Sequence, residues 1–521
     1  MSHAMRVILL LVASLACVLA QGLPDTTEKC TQCKDEVEKL EIKWDSDASI
    51  DVVVADLKEK CKEKEKQHRS VKNWLKEQVC EKIVDEFAKI PPQIFEGMQG
   101  LAWDIPLGTC ATLKQCKMEC CINDAAPEQV HLSLAGEDRS LMGVSWVTLN
   151  KNETVVQYGL SADALDMTAT GNTNTYTQAG WLGTIHRAIM TDLKPATKYF
   201  YRVGSPTENS WSEVFPFKTF DPAQKQQTFA VIADMGYGEA SDDTIRRLTD
   251  MVDAGTLDVI VHSGDISYAD GFETHWDVFF NKVQPIAARI PYMVTAGNHE
   301  FWYNFAAYKA RFFMPSVDGL QGKGSGDNMW YSWTYGQTRF AAMNSETAVD
   351  TMDFHKKELE YFEDEFKTGD RGATPFLVVH HHRPLYCSNE KTCTHDGSVN
   401  KLTKQGEDLF FNAQVDVSLS GHVHEYERTF PVYQSKLVSS DLSSTTYTAP
   451  MYIVQGASGN REGNKGSWPE TVPDWSAGHS ETVGYGLLTV ENGEAVSRPT
   501  MYWKFVQSSD NQELDSFTFE K

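Results

Sequence analysis

The chain has 521 residues, 41% hydrophobic and 23% charged, the make-up of a folded soluble protein that is too long for one core. Its formal net charge of -24 argues against nucleic-acid binding, which needs a basic patch to meet phosphates. An anionic substrate would also be repelled unless local cations, metal ions above all, reversed the field.

In chain order, Arg6 precedes an apolar run from Val7 to Ala20 that ends in small residues. This reads as a secretory signal peptide over residues 1–20, too short for a membrane span. The mature protein is therefore expected to be secreted, to the extracellular space or to a lysosome- or vacuole-like compartment. Of eleven cysteines, Cys17 leaves with the signal, and the even remainder in an exported chain implies disulfides. Asn152-Glu-Thr is a glycosylation sequon, meaningful because the chain reads as exported.

Residues 26–122 are rich in Lys and Glu, with apolar positions at helical spacing, as in Val71, Trp74, Leu75, Val79 and Ile83. Eight cysteines crowd this stretch, which predicts a small disulfide-linked all-α domain. The opening Cys30-x-x-Cys33 and the closing Cys110 and Cys116 resemble a saposin B-type domain. The resemblance implies the pairs Cys30–Cys116, Cys33–Cys110 and Cys61–Cys80. It also implies a lipid or membrane surface as a partner, although a well-buried small domain shows the same periodicity. The Cys61 to Cys80 interval is longer than in that family, and Cys120–Cys121 lies outside its pattern.

Residues 126–220 change character. Alternating segments such as VHLSL, MGVSWVTL and KYFYRV are separated by Gly, Asn, Asp and Pro, which predicts an all-β sandwich. The stretch Leu193–Gly204 resembles the Leu-x-Pro-x-Thr-x-Tyr-x-Tyr signature of fibronectin type III-like domains. No catalytic constellation falls here, so a scaffold is expected.

Residues 226–505 read as an α/β domain. Five short apolar runs, TFAVIA, LDVIVHS, YMVTA, TPFLVVH and VDVSLS, predict strands, and helices are expected over Asp242–Ala254 and His275–Ile290. Each run leads into a polar motif: Asp234-Met-Gly, Gly264-Asp-Ile-Ser-Tyr268, Gly297-Asn-His-Glu300, His380-His-His382 and Gly421-His-Val-His424. A single sheet would gather these motifs at its carboxyl edge, where open α/β sheets bind ligands. Asp, Asn, His and Tyr are oxygen and nitrogen donors, suited to hard or borderline metals. Any one motif has an ordinary structural explanation, such as a helix cap or a core histidine. Five in order, each at a strand end, do not.

The ordered set DxG, GDxxY, GNHE, VxxH and GHxH is similar to that of the purple acid phosphatases, within the calcineurin-like metallophosphoesterases. The flanks ADMGYG, TAGNHEFWYN, HHRPLYCS and GHVHEYERTFPVY agree. The resemblance spans residues 126–505 and implies an α-β-β-α layered catalytic domain. It also implies an acid phosphatase that hydrolyses small phosphomonoesters by in-line attack of a metal-bound hydroxide. Asp234, Tyr268 and His424 would hold Fe(III); Asn298, His382 and His422 would hold a divalent Zn, Fe or Mn; Asp265 would bridge the two. Within the histidine run, Val379-x-x-His382 fits the family pattern, with His380 as the alternative. Asn298 and His299 would bind substrate, with His299 stabilising transition-state charge. His395 is a candidate general acid or a solvated loop histidine, and Cys387 and Cys393 would pair to pin its loop. A homodimer is in keeping with the family. Two other readings compete. A saposin-containing lipid phosphodiesterase of acid sphingomyelinase type is opposed by Tyr268, and a non-catalytic lipid-binding protein by the complete ligand set.

Overall fold

The computed structural model describes residues 125–271, 273–317, 323–346, 354–389, 393, 397–442, 448–464, 468–491 and 498–521. The expected signal peptide, the helical domain with Cys30, Cys33, Cys61, Cys80, Cys110 and Cys116, and the loop histidine His395 lie outside the described residues.

The chain divides into two compact units. Residues 175–183 and 269–278 belong to one of them, in which Trp181 stacks on Tyr176 and donates its Nε1–H to Asp277 Oδ2 at 2.9 Å. The other unit holds the remaining described residues.

The sandwich expected at 126–220 consists of β1 (Glu128–Leu134), β2 (Met142–Thr148), β3 (Val155–Gly159), β4 (Met167–Thr170), β5 (Asn172–Asn174), β6 (Thr184–Met190), β7 (Lys198–Ser205), β8 (Ser210–Trp211) and β9 (Phe215–Lys218). One antiparallel sheet runs β1-β2-β6-β5; the other runs β4-β3-β7-β8, with β9 also on β7. In the Leu193–Gly204 stretch, the Tyr199 hydroxyl accepts from Lys194 N at 2.9 Å and pins the turn into β7.

The α/β part opens with β10 (Gln226–Ile232), α1 (Asp242–Asp253), β11 (Val259–Ser263), α2 (Glu273–Ala287), β12 (Tyr292–Thr295) and α3 (Trp302–Arg311). It continues with β13 (Tyr331–Tyr335), β14 (Thr338–Ala342), α4 (Lys356–Thr368), β15 (Phe376–His380), α5 (Gly397–Asn412), β16 (Val417–Ser420), β17 (Tyr426–Thr429), β18 (Val432–Tyr433) and β19 (Lys436–Leu437). The last strands are β20 (Met451–Gln455), β21 (Ser476–Ser480), β22 (Gly484–Glu491), β23 (Thr500–Gln507) and β24 (Glu513–Glu520).

The five motif-bearing strands do not share one sheet, contrary to the single-sheet expectation. β10, β11 and β12 lie in a sheet ordered β12-β11-β10-β22-β23-β24, whereas β15 and β16 lie in one ordered β13-β14-β15-β16-β20-β17-β21. The physical reason is that each strand is apolar on both faces, so both faces need cover. Along β15, Leu377 and Val379 join the cluster of Phe362 from α4 and Leu402 and Phe410 from α5. Phe376 instead meets Phe519 of β24, in the opposite sheet. Ring contacts of Phe229 with Trp333 and Phe340, and of Tyr426 with Phe505, likewise join the two sheets.

Buried polar bonds fix the sandwich to the α/β part. Arg187 Nη2 donates to the carbonyls of Ala310 and Phe312 (2.6 Å each), Arg311 Nη1 to Gln129 Oε1, and Tyr201 Oη to Ala288 O. Within the sandwich, fully buried His186 stacks on Trp146, and its two ring nitrogens each lie 2.8 Å from a hydroxyl, of Thr148 and Thr154. Burial lowers its pKa from 6.5 to about 4. The unfolded chain therefore takes up this proton first on acidification, and stability is lost as pH falls from about 6.5 towards 4. This one site is worth on the order of 3 kcal/mol across the window. Thermal melts at several pH values should show His186→Gln losing less stability on acidification than the parent chain; parallel losses would remove His186 as a cause.

Candidate metal centre

The motif residues leave their strands at the carboxyl ends and turn sharply. Asp234, Asp265, Tyr268 and His422 all have left-handed backbones, with φ of 53°, 48°, 53° and 70°. Each costs a non-glycine residue roughly 1–3 kcal/mol, a strain that folds retain where side chains must converge.

The motif glycines clear the space for that convergence. A Cβ on Gly264 would sit 2.6 Å from the His382 ring, one on Gly297 2.2 Å from Asp265 Oδ1, and one on Gly421 2.3 Å from Asp234 Oδ2. Each glycine thus makes room for a donor residue from a different motif.

Two donor groups result. Tyr268 Oη lies 2.9 Å from His424 Nε2 and 3.2 Å from Asp234 Oδ1, and the latter two are 3.5 Å apart. His382 Nε2 lies 3.0 Å from Asn298 Oδ1 and 3.2 Å from Asp265 Oδ2. Donor atoms of Asp234, Asp265 and His424 fall within 4.8 Å of one another, as do those of Asp265, His382 and His422. Asp265 belongs to both groups.

Backbone contacts leave one donor atom of each residue free to face inward. His422 N donates to Asp234 Oδ2 and His299 N to Asp265 Oδ1, both at 2.8 Å, so the Oδ1 of Asp234 and the Oδ2 of Asp265 face the cluster. The His382 Nδ1–H points to Ser263 O at 3.1 Å, which leaves Nε2 as its ligand atom.

The three histidines, at and just past the end of β15, face different surroundings. His380 faces the inter-sheet core against Trp333 and Phe340, and His381 faces Phe354 and Phe410 on the helical side. Burial lowers both to a pKa of about 3. His382 lies beyond the strand end, in the cluster. Burial would lower its pKa too, but the Asp265 carboxylate, helped by Asp234, raises it to about 9. Asp265 is the converse: burial alone would raise it, and His382 and His299 hold it far below the usual carboxylate range. Burial, then Asp234 and Asp265, push the Tyr268 phenol well above 10.

His299 Nε2 lies 3.7 Å from Asp265 Oδ2 and 3.8 Å from Glu462 Oε1, at the margin of the cluster. Cys387 and Cys393 are joined in a disulfide, and Ser388 and Asn389 behind it bond to Glu427 and Glu425.

Residues 127–219 match the family described as purple acid phosphatase, N-terminal domain. Residues 227–426 match calcineurin-like phosphoesterase, and 449–516 match iron/zinc purple acid phosphatase-like protein C. Acid phosphatase type 7 of Danio rerio is 33% identical over 417 residues, 75% of this chain and 87% of that protein. The chain belongs to the purple acid phosphatases. Purple acid phosphatase 22 of Arabidopsis thaliana is 32% identical over 74% of this chain and 83% of its own. The solved purple acid phosphatase PPD1 of yellow lupin seeds superposes with a TM-score of 0.67 at 25% identity, over 77% of this chain and 75% of that one.

A dinuclear centre suits this purple acid phosphatase, because its donor set is oxygen and nitrogen only and falls into two groups that share one carboxylate. Sequence reasoning missed the groups that hold these donors. The buried Glu300 carboxylate accepts from Ile266 N and Gly297 N, tying two motif loops together, and burial followed by Asp265 raises its pKa to about 8. Its place in GNHE was the only available signal. Arg383 stands in the flank HHRPLYCS without a role that the sequence assigns, and Glu346 and Glu462 come from outside the motifs. Gly421→Ala should drive Asp234 out of place and weaken metal binding roughly 10–100-fold. Elemental analysis after dialysis, beside a thermal melt that confirms folding, reads this; full metal content would exclude it.

Proposed function

We propose that the chain is an exported acid phosphatase that hydrolyses small phosphomonoesters at an Fe(III)–M(II) centre, M being Zn, Fe or Mn. The observation that carries this reading is Tyr268 Oη at 2.9 Å from His424 Nε2 and 3.2 Å from Asp234 Oδ1. A buried phenol so far from ionising by itself would become a tyrosinate only beside a strong Lewis acid, and tyrosinate favours trivalent iron.

In this reading Asp234, Tyr268 and His424 hold the ferric ion, Asn298, His382 and His422 hold the divalent ion, and Asp265 serves both. When bound, such a pair acidifies water and neutralises charge on the phosphoryl group, which also offsets the repulsion from a chain of net charge -24. His299, with Asn298, binds the phosphoryl oxygens and donates a hydrogen bond to them as charge develops. A carboxylate oxygen of Glu462 lies 3.8 Å from His299 Nε2, a contact that becomes an ion pair when the ring is protonated. His395 remains the candidate donor of the leaving-group proton.

The apolar run Val7–Ala20 supports export, and residues 26–122 are proposed as a saposin B-type domain that meets lipid. Asn152, half-buried between β2 and β3, is proposed as a glycan site, which requires its shielded Nδ2 to turn outward. Among the described residues no helix is long and apolar enough to cross a membrane. A lipid phosphodiesterase is less well supported, because it gives Tyr268 no role.

The purified full-length protein should show a visible charge-transfer band and two metals per chain, and should prefer monoesters to diesters under acid conditions. Tyr268→Phe should abolish both band and acid activity; a colourless zinc protein that prefers diesters would overturn the reading. His299→Ala should keep both metals and lose roughly 10²–10³-fold in kcat. Steady-state kinetics with metal analysis measure this, and an unchanged kcat would remove His299 from the chemistry.

A further inference from the structure

Arg383 lies directly after His382 and is almost wholly buried. Its backbone N donates to Ser345 Oγ at 3.0 Å, and its Nε–H to Glu346 Oε1 at 2.6 Å. Nη1 lies 2.8 Å from His422 Nε2. A guanidinium has five N–H donors, no acceptor, and stays charged in proteins. In this contact Arg383 is therefore the donor, and His422 Nε2 must offer its lone pair.

That bond cannot coexist with a metal ion on His422. If Nε2 is the ligand atom, its lone pair is taken and the guanidinium occupies the approach. If Nδ1 is the ligand atom, a neutral ring carries its proton on Nε2, and two donors then face each other. Only an imidazolate would escape the conflict. The exclusion holds whichever nitrogen binds.

Resting on the metal-centre reading, we infer that Arg383 is a positioning residue that competes with the divalent ion for His422. Loading the second subsite displaces Nη1 from His422, while the Nε–H bond to Glu346 keeps the guanidinium tethered beside the pocket. The chain's own arginine thereby weakens the divalent site and leaves the other donor group, Asp234, Tyr268 and His424, untouched. A charge-assisted hydrogen bond of this kind must be broken for each divalent ion taken up.

The test uses zinc as the probe on the full-length chain, with affinity read by competition against a chromophoric chelator. Truncating Arg383 alone would strand a buried carboxylate, so the chosen variant is Arg383→Met with Glu346→Gln, which leaves the net charge at the site unchanged. It should bind zinc roughly tenfold or more tightly than the parent. Simple structural damage would move affinity the other way. Should that variant fail to fold in a thermal melt, Arg383→Lys carries the test: its ammonium keeps the charge and the Glu346 pair but lacks the fork that reaches His422. Equal or weaker zinc binding in the folded variant, while His422→Gln does lose zinc, overturns the inference alone. Zinc binding unaffected by His422→Gln overturns the metal-centre reading and the inference with it.

Discussion

The carboxylate of Asp265 is the point about which the catalytic part is organised. One oxygen is held by the backbone of His299 and the other faces His382, and the residue belongs to both donor groups. A fully buried carboxylate is costly unless paired, so its surroundings must be arranged to near-contact precision. Gly297 has no Cβ because Asp265 occupies that space. Glu300 pins the backbone of Ile266, next to Asp265, and that of Gly297, so the loops after β11 and β12 are tied together. The two-sheet stack follows from the same need, since it brings β15 and β16 to the ends of β10, β11 and β12.

Much of this was legible in the sequence, for a physical reason. Strands that end in ligand residues are short and apolar on both faces, and four of the five lead into a glycine-containing motif, a pattern that survives in one dimension. All five such runs are strands, and both predicted helices exist with ends shifted by no more than three residues. What one dimension hides is which strands share a sheet, because TFAVIA and TPFLVVH read alike whichever neighbours they pair with. Ring contacts put His380 on the inter-sheet side and His381 on the helical side, while His382, two residues past the end of β15, stands among the donors. The roles of the supporting groups were hidden, even where Glu300 and Arg383 stand in or beside a motif. Nothing in the spacing of Glu346 or Glu462 announces that their distant segments meet Arg383 and His299 beside the donors.

The sandwich is the element whose contribution was least visible. Sequence alternation predicts its strands but not Arg187 reaching three residues' worth of carbonyls at the end of α3, or Tyr201 bonding Ala288. These are buried, directional contacts at a helix terminus, where backbone carbonyls lack helical partners. A second domain that satisfies them fixes the segment following the GNHE motif without contributing a ligand. It stabilises the fold at neutral pH through the same kind of buried polar groups, His186 among them, that make it sensitive to acid.

The left-handed backbone at Asp234, Asp265, Tyr268 and His422 has an evolutionary consequence. These four positions are held against local preference, so selection for activity and selection for foldability pull in opposite directions there. In a lineage released from the need for chemistry, glycine or asparagine would relieve the strain at once, since both tolerate this region of backbone space. Decay should then begin at these four sites and spare Asn298 and His382, whose backbones carry no such tension. A descendant that keeps the fold but has abandoned hydrolysis would be recognised by that order of loss.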